Sequence, residues 1–135
     1  DQFIEWDSND FFYKMNESDA DGGILTFHST HPKWSFAKVN DNGFVTRVAE
    51  KETISDMATV GCYYWKNGSD FVKFAENMIN KDVRVNGEFY VCPVYNEAIA
   101  DGLKIRTHHI DKMWGLGTPE DLNDFIQNGP LNEKK

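Results

Sequence analysis

The sequence predicts an α/β fold built on a mixed sheet. Strand-like and helix-like segments alternate along its 135 residues, the pattern of α/β domains. A turn signal, Asn40-Asp41-Asn42-Gly43, joins two of the strand-like segments, so at least one strand pair is antiparallel. Hydrophobic residues make up 40% and aromatics 14%, enough to pack a core and too many for a disordered chain.

Each element has its own local reason. Gln2 to Ile4 reads as a short strand. Asp7 reads as an N-cap, followed by a helix that carries Phe11, Phe12 and Met15 on one face. Asp19 to Gly22 is a turn, and Gly23 to His28 is a strand apolar enough to be buried. Trp34 to Val39 and Phe44 to Lys51 form the hairpin. Met57 to Trp65 is a strand rich in aromatic and β-branched residues. Asn67-Gly68-Ser69 opens a helix on which Phe71, Phe74, Ala75, Met78 and Ile79 follow helical spacing. Asn86-Gly87 is a turn. Glu88 to Ala100 reads as a helix, with Pro93 either in its first turn or breaking it. Lys104 to Ile110 is a strand. Thr118-Pro119-Glu120-Asp121 starts a last helix: Thr caps, Pro fits the first turn and Asp completes a capping-box-like pattern. That helix runs to about Gln127, and residues 128–135 form a polar tail.

Composition narrows the partners. A net charge of -8 argues against a nucleic-acid footprint and against docking on an anionic membrane. The apolar runs are a few residues long, against the roughly 20 needed to cross a bilayer. Cys62 and Cys92 sit in apolar, aromatic-rich runs without a CxxC. Buried free thiols are the better reading, which favours a reducing cytoplasm. The first residue is Asp1 rather than Met, and a strand-like segment follows at once, which reads as a piece of something longer.

Four segments could carry chemistry. Glu50-Lys51 ends a strand; its carboxylate can accept from sugar hydroxyls while its ammonium holds a phosphate, and it is equally what a solvated strand end looks like. Asn86-Gly87-Glu88-Phe89-Tyr90 places a carboxylate near a helix start, as the helix dipole alone would favour. Gly61-Cys62-Tyr63-Tyr64-Trp65 reads as core packing, except that a glycine within a strand can mark close approach by a ligand. Trp114-Gly115-Leu116-Gly117 precedes the capped helix, so backbone N–H groups could approach a ligand, or the run is a tight strand-to-helix turn. The histidines, His28, His31, His108 and His109, form no metal-binding pattern, and GxSxG, Walker A and GxGxxG do not occur.

Taken in order, these motifs resemble the sugar-phosphate nucleotidyltransferase family: Asp1 at a strand end, Val45-Thr46-Arg47-Val48-Ala49-Glu50-Lys51, Val60-Gly61-Cys62-Tyr63-Tyr64, Gly87-Glu88-Phe89-Tyr90, and Trp114-Gly115-Leu116-Gly117-Thr118-Pro119. The resemblance spans nearly the whole chain. It implies part of a Rossmann-like three-layer sandwich, with residues 1–127 the C-terminal, sugar-binding part of one nucleotidyltransferase domain. It implies a cytoplasmic enzyme that joins a sugar-1-phosphate to a nucleoside triphosphate. In the family an N-terminal half with a glycine-rich loop holds the nucleotide, and no segment here matches it. Asp1 matches a carboxylate that binds Mg²⁺, and Lys51 with Asp1 would be the catalytic pair. Ser35, Glu50, Lys51, Gly61, Tyr63 and Glu88 match positions that line the sugar-phosphate pocket.

Two departures stand out. Ser35 follows Trp34 where the family often has glycine. Gly115 stands where many members carry a second metal-binding aspartate, which favours a degenerate, non-catalytic sugar-sensing or interaction module as one alternative; a glycosyltransferase of related fold is the other. A chain lacking its other half would also expose apolar surface, and so is expected to form a homodimer.

Overall fold

The computed structural model describes residues 1–130. Seven strands and four α-helices are found among them, in the order β1 (Gln2–Glu5), α1 (Ser8–Glu17), β2 (Gly22–His28), β3 (Ser35–Val39), β4 (Val45–Glu50), β5 (Met57–Trp65), α2 (Gly68–Asn80), α3 (Val94–Ala100), β6 (Ile105–His109), β7 (Lys112–Gly115) and α4 (Pro119–Asn128). Five strands make one sheet in the order β4-β3-β5-β2-β6. Only β2 and β6 pair in parallel, so the sheet is mixed. β1 and β7 form a separate antiparallel ribbon.

The period-2 alternation of the strands sorts side chains onto two faces. On one face, Ile24, Ala37, Val45, Val48 and Ile105 pack against Phe74 and Met78 of α2 and Val94, Tyr95 and Ala98 of α3. On the other, Leu25, Phe27, Phe36, Ala58 and Val60 pack against Phe11 and Met15 of α1 and Met113 of β7. Helices thus cover both faces of the sheet, giving the three-layer α/β sandwich. Tyr95 fastens the layers together: its buried hydroxyl donates to the carbonyls of Gly23, at 3.1 Å, and Tyr64, at 2.9 Å.

Two local devices shape the end of the sheet. β5 carries an irregularity where Leu25 of β2 faces three residues, Val60 to Cys62, and Gly61 sits within it at φ +96°. That dihedral lies in the region open to glycine, and it lets the strand bulge without flipping its faces. β4 is an edge strand, and Asn96 of α3 covers it. The amide accepts from Val48 N and donates to Val48 O, each at 2.9 Å.

The structure corrects the sequence reading in several places. The helix expected over Glu88–Ala100 begins only at Val94. Asn86 (φ 50°) and Gly87 (φ 80°) close a tight turn in which Val85 and Glu88 exchange both backbone hydrogen bonds, so Glu88 lies in a bridge rather than at a helix start. Pro93 stands at the N-cap of α3, where its missing N–H costs nothing. β7 was not foreseen, because Met113 is the one buried residue of its four and no alternation shows. Phe12 does not share the apolar face of α1: it is one position, about 100°, round the helix from Phe11, and is exposed with Ile79 of α2. Cys92 is buried, but Cys62 is only partly so. α4 extends to Asn128, one residue past its expected end, and residues 131–135 of the expected tail lie outside the described region.

Candidate functional site

The end of β4 sets the site. Its last residue, Glu50, pairs across the hairpin with Ser35, and the Ser35 hydroxyl donates to the Glu50 carboxylate at 2.5 Å. Lys51 then leaves the strand at φ 55°, a left-handed conformation unusual for a residue with a side chain. Its backbone N–H donates to the carbonyl of Trp34 at 3.0 Å, which holds the turn. Strained backbone of this kind is often kept where a side chain must point in one direction.

The Lys51 side chain meets a residue from the Val85–Glu88 turn region. Its Nζ donates to the Tyr90 hydroxyl at 2.6 Å, and that hydroxyl donates to Glu88 at 2.7 Å. The ammonium also lies 4.7 Å from the centre of the Tyr90 ring. The hydrogen bond to Tyr90, aided by the Glu50 and Glu88 carboxylates, raises the Lys51 pKa, so the lysine stays a cation at neutral pH. Lys51 and Glu88, far apart in sequence, are therefore brought together through Tyr90.

Beside this cluster lies a cavity of about 320 Å³ lined by Gly61, Tyr63, Trp65, Phe71 and Val91. The Tyr63 hydroxyl hydrogen-bonds with Thr59 at 3.1 Å and lies near Ser35 and Cys92. Burial raises the pKa of Tyr63, and it pushes the Cys92 thiol up to about 12. Both are neutral packing groups at physiological pH, unsuited to act as bases or nucleophiles.

A second cavity of about 200 Å³ is lined by Asp1, Gln2, Lys33, Trp34, Gly117, Thr118 and Asp121. The two cavities adjoin: a Cβ built on Gly61 would lie 3.4 Å from the Gln2 amide nitrogen. Asp1 is placed by its carbonyl, which accepts from Leu116 N at 2.8 Å as the β1–β7 ribbon continues. Thr118 caps α4 by accepting from Asp121 N at 3.1 Å, as its sequence predicts. Lys33 grips the Asp121 carboxylate with contacts of 3.0 and 3.1 Å, which with Thr118 lowers the Asp121 pKa.

The surroundings of Gly115 bear on metal binding. A Cβ there would lie 3.3 Å from the carboxyl carbon of Asp121, so that carboxylate already occupies the space beside position 115. Asp121 is itself neutralised by Lys33. Among the described residues no three His, Cys, Asp or Glu side chains gather to hold a metal. The donors fit a cation held by one free carboxylate, Asp1, together with a ligand's own phosphates, the usual habit of Mg²⁺. They do not fit a cage made by the protein alone.

Of the residues singled out from the sequence, Ser35, Glu50, Lys51 and Glu88 are brought into one polar cluster, Gly61 and Tyr63 line the adjoining cavity, and Asp1 lies in the second. Sequence reasoning missed Tyr90, Lys33 and Asp121 as parts of these clusters. Tyr90 stands two residues from Glu88 in a segment that was read as helix, where those two side chains would diverge. The Lys33–Asp121 pair spans 88 positions, with no local signal.

No family model and no curated protein matches the sequence. The fold has clear relatives among solved structures. The nucleoside-diphosphate-sugar pyrophosphorylase from Vibrio cholerae superimposes with a TM-score of 0.78 at 27% identity, over 95% of this chain and 53% of that one. A structure assigned as a glucose-1-phosphate thymidylyltransferase from Bacillus anthracis, in complex with a sucrose, superimposes with a TM-score of 0.72 at 16% identity, over 100% of this chain and 52% of that one. The chain spans about half the length of the solved structures it matches. The family resemblance read from the sequence and the sandwich it implied are thus both met in the structure. No helix among the described residues is long and apolar enough to cross a membrane.

Proposed function

We propose that this chain is the C-terminal, sugar-phosphate-binding part of a cytoplasmic nucleotidyltransferase, which joins a sugar-1-phosphate to a nucleoside monophosphate unit and releases pyrophosphate. The observation that carries the reading is the polar cluster Ser35–Glu50, Lys51–Tyr90–Glu88 beside an aromatic cavity. It offers one fixed cation for a phosphate and two carboxylates for hydroxyls.

In the proposed reaction a phosphate oxygen of the sugar-1-phosphate attacks the α-phosphorus of the triphosphate, and the bond to pyrophosphate breaks. Positioning and charge neutralisation do most of the work in such a transfer. Lys51 holds the sugar phosphate. Glu50, fixed by Ser35, and Glu88, fixed by Tyr90, accept from ring hydroxyls. Gly61 lets the ring approach the strand backbone and Tyr63 forms its floor. Asp1 would hold Mg²⁺ against the phosphates; when bound, the ion offsets the charge that develops on them. The nucleotide would be held by residues that these 135 do not supply. Free Cys62 and Cys92 support a reducing compartment. Exposed Phe12 and Tyr13 on α1 and Leu122 and Ile126 on α4 support self-association as a dimer.

Titration with glucose 1-phosphate tests the reading. Lys51→Ala is expected to weaken binding at least about tenfold, since it removes the charge-assisted contact to the phosphate. Lys112→Ala, whose ammonium rests on the Trp114 ring at 4.0 Å, is expected to leave binding unchanged. Equal affinity for both variants would refute the placement of the phosphate at Lys51.

A further inference from the structure

The chemistry of the first cavity is lopsided, and this restricts its ligand. Its five lining residues are Gly61, Tyr63, Trp65, Phe71 and Val91. Glycine presents only backbone. Two of the other four carry a polar atom, of which one is engaged within the protein and the other is buried. The Tyr63 hydroxyl is engaged with Thr59 at 3.1 Å, and the Trp65 indole nitrogen is buried with no partner among the described residues. The aromatic wall is also rigid. Trp65 stacks on Tyr95 with ring centres 4.4 Å apart and planes 9° from parallel, and Phe71 and Phe74 lie against it at 5.7 and 6.4 Å.

The charged groups adjoin the cavity at Val91, while the Gln2 amide reaches its Gly61 end. Val91 of the wall directly follows Tyr90, whose hydroxyl joins Lys51 to Glu88. A ligand whose phosphate meets Lys51 therefore turns one edge toward carboxylates and the other toward an apolar wall. A hydroxyl pressed on the side chains of Trp65, Phe71 and Val91 loses water and gains no partner, which is unfavourable. A methyl group gains from the same burial.

We infer that the sugar-1-phosphate taken by this site carries a methyl group where it meets Trp65, Phe71 and Val91, as a 6-deoxy sugar or an acetamido sugar does, rather than a full set of hydroxyls. The inference rests on the proposed sugar-phosphate site and names its substrate class. Gly61 favours the acetamido arm in particular, because its exposed backbone in the β5 bulge can meet an amide while the methyl lies on the rings.

The test is a titration of the chain with glucose 1-phosphate, 6-deoxyglucose 1-phosphate and N-acetylglucosamine 1-phosphate, followed by ligand-detected NMR. At least one methyl-bearing ligand is expected to bind about tenfold or more tighter than glucose 1-phosphate, the usual worth of one well-buried carbon. Saturation transfer is expected to be strongest at its methyl protons. Val91→Ser lies at a residue 46% exposed, so the fold should tolerate it; it is expected to bring the preference to within about threefold of unity. Glucose 1-phosphate binding as tightly as both others would overturn the inference while leaving the site itself standing. Failure of all three to bind would overturn the site, and the inference with it.

Discussion

Asn96→Ala probes how the fold holds its site. Asn96 makes two hydrogen bonds of 2.9 Å to the backbone of Val48, on the open edge of β4 and two residues before Glu50. The substitution removes both bonds and creates no large cavity, since Asn96 is only half-buried. A neutral hydrogen bond contributes about 0.5–1.5 kcal/mol net, so the pair contributes about 1–3 kcal/mol. For a chain of this length each kcal/mol shifts Tm by roughly 4 °C, so thermal unfolding should fall by about 4–12 °C. Hydrogen exchange at the Val48 amide should speed up by more than exchange in β2, which has a strand on each side. The control is Asn128→Ala, whose amide donates to exposed Asp124 at 2.8 Å and should cost under about 0.5 kcal/mol. Equal melting temperatures for the two variants, with unchanged exchange at Val48, would refute the claim that Asn96 holds the edge that carries Glu50 and Lys51.

Three further outcomes are expected. At mildly alkaline pH iodoacetamide should modify the partly exposed Cys62 well before Cys92, whose thiol is held at about 12 by burial; mass spectrometry of the time course decides it, and faster labelling of Cys92 would contradict its placement. His108 has its pKa lowered by burial and by Lys14, so the unfolded chain binds its proton more readily than the folded one. Stability should therefore fall as the pH drops through about 6.5, the unfolded value, and level off below the folded pKa, and His108→Gln should flatten that step in pH-dependent denaturation. Gly115→Asp would set a second carboxylate beside Asp121, within 3.3 Å of the position its Cβ would take; like-charge repulsion should lower stability by up to about 1 kcal/mol, and added Mg²⁺ should restore it, as melting curves with and without the ion would show.

Much of the fold was legible because its signals are local. The Asn40–Gly43 turn, the Thr118-Pro119 helix start and the apolar run of β2 each declare themselves within a few residues, and each forms as read. The misses share a different cause. Tertiary pairing makes β7: Lys112–Gly115 has no period of its own and becomes a strand by lying against Gln2–Glu5. Backbone dihedrals decide the segment after α2. Asn86-Gly87 reads as a turn from its residues alone, but the left-handed dihedrals return the chain as a bridge at Glu88, and the helix waits for Pro93. The candidate site shows the same division. Glu50, Lys51, Gly61 and Glu88 could be picked out by motif. The Tyr90 hydroxyl that ties Lys51 to Glu88, and the Lys33–Asp121 pair in the space beside Gly115, depend on contacts that no spacing encodes.

The most direct test of the central claim, that these clusters form one sugar-phosphate site, is to map backbone amide shifts while glucose 1-phosphate is added. A contiguous set of shifts is expected at Ser35, Glu50, Lys51, Gly61, Glu88 and Tyr90. The amides of α1, on the opposite face of the sheet from α2 and α3, should stay unmoved. Inorganic phosphate should move the Lys51 and Tyr90 amides and leave Gly61 in place, because it lacks the ring. Saturating shifts centred elsewhere on the chain, or none in the Glu50–Lys51 and Glu88–Tyr90 segments, would contradict it.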